Sequence, residues 1–251
     1  MWEFIDKVIY INLDCRPDRM KFIEDDFRPI FGDKLERFPA IRDASGLNGC
    51  VRSHIAVLEM AIKNDWDNLL VIEDDAAWNK YEQGYNKLKV LTRNPFDVIV
   101  LGASAVTWDQ TTLKLKGCNT TGCYLIKKHY MPVLLNNFKE GFKFLLETED
   151  TSLYALDVYW NKLFERDNWF VLVPSMIYQR PSPKHSSQPE DGNVDYTNMF
   201  LLDFTPYPFA RDSWPYLIDY GTEEQKNSIL ISSVIPKPIS KPKLLSFLNR
   251  K

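Results

Sequence analysis

The sequence predicts an α/β fold with a mainly parallel sheet, and three observations carry that prediction. Short apolar runs rich in β-branched residues recur at residues 8–13, 69–72, 97–102 and 170–173. Stretches with helical spacing of apolar residues stand between several of them. The first runs follow the order strand, helix, loop, helix, strand, which suits a parallel sheet layered with helices.

Val8-Ile9-Tyr10-Ile11-Asn12-Leu13 reads as the first strand, buried on both faces and ending at Asp14. Pro17 suits a first helical turn, and Asp18 behind it favours the positive helix end. Met20, Ile23, Phe27 and Ile30 give that helix one apolar face. Arg16 and Arg19 in this strand-to-helix turn make either an anion site or ordinary surface charges. Residues 38–41 read as a second short strand and residues 42–49 as a polar loop. A second helix opens at Gly49-Cys50-Val51-Arg52-Ser53-His54, carries Val51, Ile55, Leu58 and Ile62 inward, and stops near Asn64-Asp65.

After the strand at 69–75, Pro95 sets the start of a buried strand that ends at Gly102. Residues 103–117 are polar and read as a loop or hairpin, and residues 123–126 as a short strand. Met131, Leu134, Leu135 and Phe138 mark one further helix; Leu153, Leu156, Trp160 and Leu163 mark another, with Asp157 beside the stripe. Residues 170–173 form the last clear strand, ended by Pro174. From Gln179 to Asn198 the chain is rich in Pro, Ser, Asp and Gly, a long irregular loop of the kind that often carries function. The expected division is one domain over 1–235 and a Pro/Lys-rich tail over 236–251. The tail ends in a short basic amphipathic segment, a peripheral membrane contact or a solvated end.

A chain of 251 residues that is 45% hydrophobic can bury a sizeable core. Its net charge of -3 argues against a general nucleic-acid binder. The four cysteines, Cys15, Cys50, Cys118 and Cys123, lack zinc-finger spacing and are too few for a disulfide framework. Acidic residues near the start and no apolar run of about 18 residues make a cytoplasmic protein the expectation.

Leu69-Leu70-Val71-Ile72-Glu73-Asp74-Asp75 runs from four apolar residues into three acidic ones. Strand alternation would put Glu73 and Asp75 on one side and Asp74 on the other. Two carboxylates at the end of a buried strand repel unless something positive lies between them, and a hard divalent cation is the natural partner. A solvated acidic turn is the plain alternative.

Four stretches together resemble glycosyltransferase family 25, which includes lipooligosaccharide sugar transferases and procollagen galactosyltransferases. They are Val8-Ile9-Tyr10-Ile11-Asn12-Leu13-Asp14 with Arg16-Pro17-Asp18-Arg19-Met20; Gly49-Cys50-Val51-Arg52-Ser53-His54; Val71-Ile72-Glu73-Asp74-Asp75-Ala76; and Thr121-Gly122-Cys123-Tyr124-Leu125-Ile126, followed by Asp157. The resemblance covers residues 8–180 and implies a GT-A type fold. It implies transfer of a hexose, galactose or glucose, from a uridine diphosphate sugar to an acceptor hydroxyl, with inversion. Glycan, glycolipid and collagen-like acceptors are all compatible. Carried onto this chain, it implies a Mn2+ or Mg2+ ion at Glu73 and Asp75; apart from the resemblance, His185 of the late loop is a further candidate ligand, since imidazole suits manganese. The resemblance implies donor contacts from Asn12, Leu13, Asp14, Arg16, Arg19, Arg52, Ser53, His54, Glu73, Asp74, Gly102 and Gln179. Arg52 departs from the pattern, which usually has an apolar or small residue before Ser-His.

Inverting transfer needs a base for the acceptor hydroxyl and positive charge on the leaving diphosphate. Asp157, a carboxylate bordering a buried face, is the first candidate base and Asp150 the second. His54 is a candidate for positioning the donor, and His129, among Lys127, Lys128 and Tyr130, a surface residue. The competing class is a non-catalytic module that binds nucleotide sugars or glycans on the same fold. A phosphoryl or nucleotidyl transferase would also use paired carboxylates, but the chain has no G-x4-G-K-[ST] loop.

Overall fold

A computed structural model describes residues 2–180 except Lys80 and Pro174. The elements are β1 (Lys7–Asn12), α1 (Pro17–Phe31), β2 (Leu35–Pro39), α2 (Gly46–Lys63), β3 (Asn68–Glu73), β4 (Ala76–Trp78), α3 (Tyr81–Leu91), β5 (Val98–Trp108), β6 (Leu115–Lys127), α4 (Met131–Thr148), α5 (Thr151–Tyr154), α6 (Leu156–Tyr159), β7 (Trp169–Val171) and β8 (Ile177–Gln179). His185, most of the expected late loop and the 236–251 tail lie outside the described residues.

Six strands form one sheet in the order β2-β1-β3-β6-β5-β7. β1 pairs parallel with β2 and β3, and β5 pairs parallel with β7. β6 lies antiparallel to both β3 and β5. The α/β class with a mainly parallel sheet is the one the sequence predicts. Alternation divides each strand between two cores. Ile9, Ile11, Leu69, Val71, Val98, Val100 and Tyr124 meet Val51 and Leu58 of α2 and Leu134 and Phe138 of α4. Val8, Tyr10, Leu70, Ile72, Ile99 and Leu125 meet Ile23 and Phe27 of α1 and Tyr85 and Leu88 of α3. With helices on both faces the strands need apolar residues at every position, which is why they read as continuous runs.

Several boundaries differ from the sequence expectation, each for a local reason. β2 ends at Pro39 rather than spanning 38–41, because its register follows β1, with Val8 opposite Leu35. α2 starts at Gly46, not Gly49, because Ser45 caps it by accepting from the Asn48 amide at 3.4 Å. Ser53 and His54 therefore sit in mid-helix. The 103–117 stretch is a hairpin: β5 runs on to Trp108, and Asp109 accepts from the Thr111 and Thr112 amides at 3.0 and 2.9 Å. β6 is consequently 13 residues long instead of a short strand at 123–126. The expected helix through Leu153 and Trp160 is broken, because Ala155 has ψ 147 between α5 and α6. Leu153 is left exposed while Trp160 is fully buried.

β4 and β8, which sequence periodicity did not reveal, form a small antiparallel sheet with Ala76 opposite Gln179. This pairing brings residues 175–180 over the end of β3. Gly102 permits it: a Cβ there would stand 2.1 Å from the Ile177 carbonyl oxygen. Trp78 anchors the other side, with its ring 4.4 Å from Phe27 and its indole NH donating to the Asp26 carbonyl at 3.0 Å.

Candidate functional site

The connections of the parallel strands place a crevice at one end of the sheet. β1 leads through α1 to β2 on one side, and β2 leads through α2 to β3 on the other side of β1. α1 and α2 pack on opposite faces. In open α/β sheets, this reversal opens a ligand crevice at the carboxyl ends of the strands. A cleft of about 480 Å3 of empty space, open to solvent, lies there. Ile11, Leu13, Ala40 and Ile41 make an apolar wall; Gly49, Cys50, Ser53 and His54 of α2 face Arg19, Glu73 and Asp74.

β3 ends at Glu73, so Asp74 and Asp75 lie in the turn that leads to β4. Strand alternation therefore stops short of them, and the expected separation of Asp74 from Asp75 does not hold. One guanidinium serves both: Arg19 Nη1 lies 2.7 Å from Asp74 Oδ1 and 3.3 Å from Asp75 Oδ2. Arg19 and Asp74 are 5% and 7% exposed, so this ion pair is out of water. Asn12 completes it by donating from Nδ2 to Asp74 Oδ2 at 2.8 Å and to the Arg16 carbonyl at 3.0 Å. Arg37 Nε in turn donates to Asn12 Oδ1 at 2.9 Å, and its Nη2 reaches Asp14.

Glu73 uses its two oxygens differently. Oε1 accepts from Thr121 Oγ1 at 2.6 Å and lies 3.4 Å from His54 Nε2. Oε2 accepts from Gln179 Nε2 at 2.9 Å. The same Gln179 nitrogen donates to Asp75 Oδ1 at 3.3 Å, so one amide bridges the two carboxylates. Burial works against the Glu73 carboxylate, but His54, Thr121 and Arg19 outweigh it and hold its pKa below the usual value. Asp75 goes the other way. Burial, reinforced by Glu73 and Asp74, pushes its pKa up to about 7 against the opposing pull of Arg19 and Gln179. Three carboxylates thus face one buried guanidinium, and the cluster has room in its charge balance for a further cation. The oxygen donors of Glu73 and Asp75 suit a hard divalent ion. Such an ion would have to turn or displace the Gln179 amide that now bridges them.

Other sequence candidates are placed as follows. Arg16 pairs with Asp18 at 2.7 Å. That contact, with the Arg19 amide, holds the Asp18 carboxyl below its usual range, so Asp18 itself fills the anion site expected at the start of α1. Ser53 Oγ donates to the Gly49 carbonyl at 2.7 Å and accepts from the Ile41 amide at 2.8 Å, which fixes the apolar wall to α2. Arg52 is half exposed, 3.3 Å from Asp43, and lies over the Phe142 ring. Leu13 lines the cleft and Asp14 is exposed beside Arg37. Asp150 caps α5 by accepting from the Ser152 amide at 2.9 Å. His129 is exposed and sits 2.7 Å from Asp97.

Asp157 stands at the start of α6, half-buried, accepting from the Thr120 amide at 2.8 Å. Burial raises its pKa; the Thr120 amide offsets part of that, and the charge of Glu73 adds to it. Burial, joined by the charges of Glu73, Asp157, Asp75 and Asp74, pushes the Cys50 thiol well up. Sequence reasoning missed Thr121, whose hydroxyl binds Glu73, and Tyr124, whose hydroxyl meets His54 Nδ1 at 3.0 Å. Both lie on β6, whose length and direction the sequence did not disclose.

Two outcomes follow from these contacts. Arg19→Leu leaves Asp74 charged and unpaired out of water, and should cost about 3–5 kcal/mol in urea unfolding; a loss below about 1 kcal/mol would contradict the pairing. Asp157 has a raised folded pKa, so it contributes stability that is fully present below its ordinary value of 3.8 and lost as pH rises through the folded value. Urea midpoints of the wild type should therefore fall relative to Asp157→Asn as pH rises from that value toward neutrality. Parallel profiles would refute the shift.

No known family profile matches the chain, and no curated protein matches it. Among solved structures, it is similar to a glycosyltransferase involved in the glycosylation of the major capsid of PBCV-1, at 12% identity and a TM-score of 0.43, over 70% of this chain and 93% of that one. It is also similar to the mannose-1-phosphate geranyltransferase of Thermus thermophilus, at 11% identity and a TM-score of 0.38, over 66% of this chain and 73% of that one.

Proposed function

We propose that this chain is a glycosyltransferase of the GT-A type, related to family 25, that moves a hexose from a uridine diphosphate sugar to an acceptor hydroxyl with inversion. The observation that carries the reading is the position of the acidic cluster. Glu73 and Asp74 line the crevice at the carboxyl end of β3, with Asp75 next to them in the turn, and Ile11, Leu13, Ala40 and Ile41 give the crevice an apolar wall suited to a nucleoside base. The motif resemblance over residues 8–180 supports the same chemistry.

In this reading Ile11, Leu13 and Ile41 pack the base, and Glu73 and Asp75 would hold a Mn2+ or Mg2+ ion. When bound, that ion supplies positive charge to the leaving diphosphate. Arg19 pairs with both Asp74 and Asp75 and so holds the turn in place beside Glu73. Asp157 accepts the proton of the acceptor hydroxyl at its carboxylate as that oxygen bonds the anomeric carbon and the diphosphate departs. A carboxyl raised by burial toward working pH is a better base than an exposed one. His185 is a further proposed ligand; the acceptor is a glycan, glycolipid or collagen-like hydroxyl, and the tail a proposed membrane contact. A non-catalytic nucleotide-sugar module is the second reading, favoured by the way Gln179 and Arg19 already partner Glu73 and Asp75.

A panel of labelled nucleotide sugars, screened by thermal shift and then by turnover, separates the two. One uridine diphosphate hexose at about 100 times its Kd should stabilise the chain by about 2.7 kcal/mol, only with the divalent ion. Turnover should be lost with chelator, and Asp157→Asn should lower kcat by about 10^2–10^4 with KM little changed. Binding without any sugar release would favour the second reading, and full activity in Asp157→Asn would remove it as base.

A further inference from the structure

The side of Glu73 that faces α2 has ligand chemistry of its own. Cys50 and His54 are one helical turn apart on α2, and Glu73 ends β3 against them. Their ligating atoms, one sulfur, one imidazole nitrogen and one carboxylate oxygen, lie within 4.8 Å of one another. His54 is wholly buried, and among the described residues its Nε2 makes no hydrogen bond and stands 3.4 Å from Glu73 Oε1. A buried ring nitrogen left without a partner costs stability, so its environment calls for an explanation. The other nitrogen, Nδ1, is 3.0 Å from the Tyr124 hydroxyl. With an ion bound, Nδ1–H would donate to that oxygen and Nε2 would turn its lone pair to the ion, the arrangement that orients histidines toward metals.

We propose that Cys50, His54 and Glu73 bind a thiophilic divalent cation, zinc by preference. A thiolate, an imidazole and a carboxylate make a set that suits zinc and not magnesium or calcium. Three protein ligands leave a fourth tetrahedral position, which opens on the cleft lined by the same residues. Bonds of about 2.0–2.3 Å to the ion place tetrahedral ligand atoms roughly 3.5 Å apart, so the trio closes by about an ångström on binding. The half-buried Cys50 supplies that movement, and its thiol proton leaves to solvent as the ion enters. Because Glu73 offers Oε1 to this site and Oε2 to Gln179 and Asp75, the site is separate from the face assigned to a hard cation and does not rest on sugar transfer.

The test titrates the full chain, stripped by chelator, with Zn2+ and with Co2+ as a spectroscopic stand-in, without nucleotide sugar. One equivalent of Co2+ should give thiolate-to-cobalt charge-transfer absorption. Cys50→Ser should abolish that band and weaken zinc at least tenfold, with circular dichroism unchanged. Tyr124→Phe should keep the band and weaken zinc by about 10–100-fold, whereas Cys15→Ser, at an exposed cysteine, should change neither. A band that persists in Cys50→Ser, or zinc affinity equal in both proteins, overturns the proposal. Should Cys50→Ser fail to fold, the unsubstituted chain decides alone: folded protein with no charge-transfer band overturns the site.

Discussion

Three consecutive carboxylates at the end of a buried strand are the constraint on which this structure turns. Left alone they would repel one another and draw water into the sheet. The fold answers with one buried guanidinium, Arg19, one buried amide, Asn12, and one bridging amide, Gln179. Each comes from a different part of the chain, so the acidic turn fastens β1, α1 and β8 to the end of β3. Burying an ion pair rarely adds net stability over a hydrophobic pair. What it does here is fix where the acidic side chains point.

The sheet topology puts that arrangement where a ligand can reach it. Because α1 and α2 cover opposite faces, the strand ends between them stay open, and the loop tied down by Ser53 forms an apolar wall beside a charged floor. The two oxygens of Glu73 then divide the floor. One faces an oxygen-rich acidic turn, and the other faces the soft and nitrogen ligands of α2. Burial raises the pKa values of Asp157 and Asp75, so both carboxyls hold a proton more readily than exposed ones do.

Much of the fold was legible because buried strands write themselves as apolar runs. β1, β3 and the first half of β5 follow that rule, as do the apolar faces of α1, α2 and α4. The acidic cluster was legible for the opposite reason, a sudden change of polarity after Ile72. What stayed hidden depends on tertiary pairing. β4 and β8 are three residues each, too short for periodicity, and exist because they pair with each other. Residues 103–117 read as either loop or hairpin, and what decides for the hairpin, the Asp109 turn, is a side-chain effect on nearby amides. Strand alternation rightly put Glu73 and Asp75 together but wrongly set Asp74 apart from Asp75, because the strand ends at Glu73. The bridging role of Gln179 and the Thr121 and Tyr124 contacts could not be read from spacing, since each joins residues far apart in sequence.

The account stands or falls on the crevice at the end of β3. The most direct measurement is a crystal structure of the chain grown with Mn2+ and uridine diphosphate, with manganese located by its anomalous scattering. Manganese should be bound by Glu73 and Asp75, with the Gln179 amide turned or moved aside and the uracil ring against Ile11, Leu13 and Ile41. Nucleotide and ion bound elsewhere on the chain, or nucleotide in the crevice with no ion at Glu73 and Asp75, would contradict it.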